Sequence, residues 1–413
     1  MYQLQASVEN VNNKKTENIK KSLEKESEFG SKIDLEMYSI PEETIEVQKL
    51  DDLNPEIKDM IKKVGITPDT SDKSGSFMMY NANVSHKSAS SDSFELMSTK
   101  DAIKKYDGLS EYAWNLVHPE KDKYTASDYL NKSDGYFIRV FKGQKVVNPI
   151  QACMMIGMDD SVQYVHNIIV LEEGSELNLL TGCITHDDIQ RALHVGITEI
   201  YIKKNAKLTY SMIHNWGDTV DVRPRTSIKI EEGGQLVNNY VCLTPAKSVQ
   251  TNPVTYLEGP NASAFFNTVA VAYKGSVLDL GSRVYLNSPH TKTEIISRTI
   301  TLGGEVISRG DIIANAENVY GHLECNGLVL DPSGIQKAIP ALESHAMDIE
   351  LTHEASVGRV ARDQVEYLMA RGLSEEQAVG LIVRGFLSGG IEGIPEELSK
   401  EINDIVEKTK DAS

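Results

Sequence analysis

Cysteine is scarce in this chain: Cys153, Cys183, Cys242 and Cys325 are spread over 413 residues. Such wide spacing excludes a disulfide-stapled fold and fits a reducing, cytoplasmic setting. Aromatic residues make up only 7%, which argues against a sugar groove built from stacked rings. No apolar run approaches the ~18 residues that a membrane-spanning helix needs. The first ten residues are polar and lack the apolar centre of a secretory signal. Basic charge is also short. The formal net charge is -18, and no basic stripe offers phosphates a surface, so nucleic acid is disfavoured as a partner. Neither a phosphate-cradling G-x-x-x-x-G-K-[ST] loop nor a G-x-S-x-G elbow occurs. The chain is therefore not expected to hydrolyse ATP or to act as a serine hydrolase; it reads as a non-enzyme.

What is present is a repeat. From about residue 135, short β-rich runs alternate with polar corners. Three corners resemble one another: Glu172-Glu173-Gly174-Ser175-Glu176-Leu177, Lys203-Lys204-Asn205-Ala206-Lys207-Leu208 and Glu231-Glu232-Gly233-Gly234-Gln235-Leu236. They recur about every 28–31 residues, and later turns near Gly275, Ser288, Gly303 and Ala316 come at about half that spacing. A Gly- or Asn-bearing corner at fixed period, followed by an apolar strand, marks a β-solenoid. Gly and Asn tolerate the left-handed backbone such corners require. The expectation is a mainly β protein: a right-handed parallel β-helix over 135–348, an N-terminal mixed helical domain over 1–134 and a C-terminal helical domain over 349–413.

At the N-terminal end, segment 11–28 reads as a charged helix or arm. Pro41-Glu42-Glu43-Thr44 and Leu53-Asn54-Pro55-Glu56 read as helix starts. The Ser-rich stretch 67–100 reads as loop with a short strand, and Ser98 or Thr99 as a cap. In the tail, Val365, Leu368 and Met369 share one helical face. Gly372 fits a C-cap, Ser374-Glu375-Glu376-Gln377 a capping box, and Gly393-Ile394-Pro395 a third helix start.

Chemistry-bearing residues gather late in the chain. Cys325 precedes Thr352-His353-Glu354-Ala355-Ser356-Val357-Gly358-Arg359, which leads into Gln364, Tyr367-Leu368 and Arg371-Gly372. Thiolate, imidazole and carboxylate are the side chains that hold iron. Together with Leu373-Ser374-Glu375-Glu376-Gln377-Ala378, Ile382-Val383 and Gly385-Phe386, this stretch resembles the C-terminal signature of the SufB/SufD family, the scaffold of the SUF iron–sulfur assembly system. Looser similarity runs upstream through Lys203–Tyr210 and Asn215-Trp216, so that it covers roughly two-thirds of the chain.

The resemblance carries several expectations. Cys325 falls on the cysteine that SufB proteins need and SufD proteins lack, so the chain is similar to SufB. Cys325, His353 and Glu354 would then hold a nascent iron–sulfur cluster at a subunit interface. With cysteine and histidine in one chain, a homodimer could build the site, in place of a pair with a SufD-like paralogue. Thr352 stands where SufB commonly has a second Glu. Cys183, in Gly182-Cys183, resembles the cysteine that takes sulfur from a donor protein. A SufC-type ABC ATPase is expected to dock around residues 355–400. Cys153 and Cys242 read as core positions, His214 and His322 as structural. Two rival readings use the same residues: an architectural ATPase-binding subunit without its own cluster, and a β-helix carbohydrate enzyme with Asp279 and Asp311 as paired carboxylates.

Overall fold

The computed structural model describes residues 16–69 and 72–388. The main body is a parallel β-solenoid of about eight coils, with helices at both ends. Each coil contributes to two sheets. One is ten-stranded and runs from Asn83–Ala89 at one end to Ile349–Gly358 at the other; the second is twelve-stranded. Parallel registers stack residues one coil apart: Leu208 sits on Leu236, and Leu236 on Ala264.

The corner periodicity has a direct structural cause. Left-handed backbone occurs at Gly143, Gly174, Asn205, Gly233, Asn261, His290 and Asn318, one per coil, all with φ between 56° and 70°. A second corner column has Gly275 and Gly303, at φ 90° and 87°. Two corners per coil explain the half-spacing. Side chains such as those of Lys142 and Glu173, or Lys204 and Glu232, pair across successive coils at these corners. Such exposed, salt-screened pairs contribute little to stability.

Strand alternation builds the core. Inward residues such as Leu208, Leu236, Phe266, Ile295 and Leu323 form one continuous apolar column. The outer face of the ten-stranded sheet is also apolar, because two helices cover it. Pro55–Lys62, capped by the Asn54 side chain, brings Ile57 and Ile61; Glu375–Ser388 brings Val383 and Leu387. Among the described residues, no helix is long and apolar enough to cross a membrane.

The ends depart from the sequence expectations in three places. The Ser-rich 67–100 stretch forms three strands, Gly75–Tyr80, Asn83–Ala89 and Phe94–Ser98. Buried Phe77, Met78 and Met79 hold the first of them, so local polarity was outweighed by long-range pairing with Ile150–Ile156. Pro41–Thr44 is not helical. The solenoid runs ten residues past 348, with Ile349–Gly358 as a strand, and the tail becomes helical only at Arg362. Segment 11–28 is helical over 16–24, its earlier part lying outside the described residues, as does the Gly393 helix start. Ser98 caps Thr99–Lys105. Gly372 adopts φ 96°, and Ser374 and Gln377 exchange the two capping-box hydrogen bonds.

Candidate functional site

The last coil is where the expected site residues lie. Ile349–Gly358 pairs with Val319–Val329 on one side only, and Ile335–Ser344 pairs only with Glu305–Ala314. Among the described residues, both therefore present an unpaired edge of backbone donors and acceptors. Apolar side chains are exposed beside these edges: Ile335, Ile339 and Val357, with Met347 96% exposed in the connecting turn. The inner row of the final strand, Ile349, Leu351, His353, Ala355 and Val357, faces a column that no further coil closes among the described residues.

Register decides which site residues meet. Cys325 pairs with Ala355, Leu323 with His353 and Glu324 with Glu354. Parallel partners share a face. Leu323 and Cys325 belong to the interior column, so His353 lies on that same inner face. Cys325 and His353 are diagonal neighbours on adjacent strands, with Cβ atoms roughly 7 Å apart. Glu354 lies on the outer face beside Glu324, whose carboxylate accepts from Asn326 and approaches Arg298. The sequence reading took residues 349 onward as helical and left open whether His353 and Glu354 could face one site. On a strand they cannot, because adjacent side chains point to opposite sides. His322, also outward, bonds to Thr352 at 2.8 Å. Sequence reasoning placed it on the opposite face from Cys325, as found.

Cys325 is 3% exposed. Ser297 shares its face one strand back. Burial pushes the thiol above its ordinary pKa, a hydrogen bond with Ser297 pulls it back, and Glu324 adds to the rise. The column is tight on both sides. A Cβ on Gly310 would lie 2.1 Å from Leu323, and one on Gly327 would lie 2.6 Å from Gln336. A raised thiol pKa lowers the reactive thiolate fraction at any given pH. In the isolated chain at pH 7, Cys325 should alkylate more slowly than an unperturbed cysteine, its rate rising only above the usual thiol range. Mass spectrometry of iodoacetamide-labelled protein checks this.

Cys183 lies inside the same column, also 3% exposed, and burial holds its thiol pKa well above the usual value. Its sheet register puts it beside Met154 and His214. Five strand steps separate it from Cys325, about 24 Å at 4.8 Å per step. His186 leaves the strand and meets Glu56 at 3.2 Å, so Cys183 and His186 do not converge. Cys242 is a core thiol, its pKa pushed up to about 12 by burial; Cys153 faces the helix-covered side and is likewise at about 12. His214 is structural, bonded to Tyr240 and packed against Trp216. The rival carboxylate pair is dismantled: Asp279 is held by Arg309 at 2.6 Å and Asp311 by Arg283 at 2.7 Å. Among the described residues, no three His, Cys, Asp or Glu side chains come together as a metal site within one chain.

The chain is thus a parallel solenoid with open terminal strands that carries a thiol and an imidazole on the inner face of two neighbouring strands at its end. The family model described as "SUF system FeS cluster assembly, SufBD core domain" matches residues 154–386. An iron–sulfur cluster assembly SufBD family protein of Archaeoglobus fulgidus is 45% identical over 350 residues, covering 85% of this chain and 94% of its own length. One from Methanothermobacter thermautotrophicus is 40% identical over 388 residues, covering 92% and 95%. The iron-sulfur cluster assembly protein SufB of Bacillus subtilis is 30% identical over 381 residues, covering 89% and 81%. The chain belongs to the SufBD family of iron–sulfur cluster assembly proteins.

Proposed function

We propose that this chain is a SufB-like scaffold on which a nascent iron–sulfur cluster is held at a contact between two copies, driven by a SufC-type ABC ATPase. The cluster is cargo, not a resident cofactor. The observation that carries this reading is the placement of Cys325 and His353 on one inner face, in the last two strands before an unpaired edge. Two donors leave iron's remaining positions to sulfide and to a second copy. Mixed thiolate and imidazole ligation also suits a cluster that must leave again.

Burial of Cys325 gives the ATPase its task. A protonated thiol inside the column binds iron poorly, so the terminal coil must open before loading. The proposed lever is the helical pair Arg362–Met369 and Glu375–Ser388, which is continuous with the terminal strand and carries exposed Tyr367, Met369 and Leu381. ATP-driven movement of that pair would favour the open form by population shift. Cys183, on the same inner wall, is assigned the earlier role of sulfur acceptor: its thiolate attacks the outer sulfur of a donor protein's persulfide, takes that sulfur as a Cys183 persulfide and releases the donor's thiolate.

The two tail residues separate the assignments. After anaerobic reconstitution with iron and sulfide, His353→Ala should lose most of the visible absorption and bound iron, by about tenfold. Glu354→Ala, altered on the outer face, should keep most of both. Equal losses would place the ligand set elsewhere. The architectural reading predicts no cluster on any variant, together with ATPase binding that depends on residues 355–400.

A further inference from the structure

One column of the solenoid changes character at its last coil. On the inner face of the twelve-stranded sheet, Val249, Leu278 and Val306 stack in register, each almost fully buried. The next residue in that row is Gln336. Its companions on the inner face of the same terminal strand, Ala338, Pro340 and Leu342, are apolar. An amide therefore stands where packing alone would keep a fourth aliphatic side chain. A polar group inside an apolar column needs a partner, and such breaks in pattern gather at functional sites.

The facing sheet makes room for this amide. Gly327 lies within a regular strand, yet a Cβ there would lie 2.6 Å from Gln336 Cδ. In the coils behind, the same position holds Ala270 and Thr299. Glycine at 327 seats the amide by close approach.

The hydrogen bonds fix which amide atom is free. The Thr299 hydroxyl donates to the Asn326 carbonyl at 3.4 Å and accepts from Gln336 Nε2 at 2.7 Å. Gln336 Oε1 is left with no partner among the described residues. Cys325 stands two residues before Gly327 on the same inner face, a spacing of roughly 7 Å. His353 lies to the other side of Cys325, in register with Leu323. The thiol is thus flanked by an imidazole and by an amide oxygen. Gln336 is half-buried, and Ala355 and Val357, the terminal-strand partners of Cys325 and Gly327, are exposed. The row lies at the open end of the column.

We propose that Gln336 is a further binding residue of the cluster site, its Oε1 giving iron held by Cys325 an oxygen ligand on the side away from His353. This rests on the scaffold reading above, and the movement that uncovers Cys325 uncovers the amide with it. A carbonyl oxygen is a hard donor and holds iron less firmly than thiolate does. It is the ligand that lets go first when the cluster is passed on.

The test is the rate at which the anaerobically reconstituted full chain gives up iron to a ferrous chelator. Gln336→Leu keeps the volume and removes the oxygen, and should release iron about tenfold faster than the unaltered chain. Gln336→Glu restores an oxygen donor and should return the rate to that of the unaltered chain or below it. Should Gln336→Leu fail to fold, Gly327→Ala decides: its methyl group pushes the amide aside and should speed release severalfold. Release at the unaltered rate from Gln336→Leu, or from Gly327→Ala in its place, would overturn the proposal and leave the scaffold reading standing. So would release from Gln336→Glu as fast as from Gln336→Leu. An unaltered chain that takes up no iron would remove both.

Discussion

Replacing Cys325 by alanine is expected to abolish cluster formation on this chain. Anaerobic reconstitution of the unaltered protein with iron and sulfide should give a coloured species with bound iron. The Ala variant should lose both by more than about 100-fold, beyond the roughly 10–100-fold that loss of a supporting contact causes. Folding should survive, since the change removes one sulfur from a column held by dozens of apolar neighbours. Cys242→Ala is the control: it removes an equally buried thiol, three sheet neighbours away from Cys325, and should leave the cluster intact. A Cys325→Ala chain that retains the full chromophore and iron would end the assignment.

Charging the open edges should split the dimer. Ile339 and Val357 are exposed apolar residues on the two strands that lack an outer partner. Two such edges meeting a second copy would pair backbone and cover these side chains. Ile339→Glu with Val357→Glu would bury carboxylates without cations, each counted twice by the two-fold. At about 4 kcal/mol in total, a conservative sum for uncompensated buried charge, the dimer would weaken about a thousandfold. Sedimentation should then show the 45.7 kDa single chain, whereas the unaltered protein, if it forms the proposed pair, should sediment at twice that mass. Cluster loading should fall with dimerisation while the solenoid's circular dichroism stays. An unchanged dimer would move the contact away from the terminal coil.

These expectations rest on residues that differ in how plainly they could be read. The corners at Gly174, Asn205 and Gly233 announced the solenoid because left-handed backbone restricts residue type once per coil. Caps at Asn54, Ser98 and Ser374 were legible for a similar local reason: a helix end leaves unpaired N–H groups, and few side chains satisfy them. Within 67–100 one short strand was legible where three form, and the strand Ile349–Gly358 was not legible. Their polar or mixed local sequence acquires strand form from a neighbour supplied by a distant part of the chain.

The sequence by itself determined the coil period, the apolar alternation that fills the column, the helical tail, and the candidacy of Cys325, His353 and Glu354. The first three are local or periodic, and short-range sterics and hydrophobic burial are enough to impose them; the candidacy came with the family resemblance. Tertiary structure alone decided that Cys325 and His353 share an inner face while Glu354 turns outward, that the Cys325 thiol is covered, and that two strands end the solenoid without partners. Those facts follow from register between strands about thirty residues apart, and a shift of one residue in that register would have reversed every one of the facings.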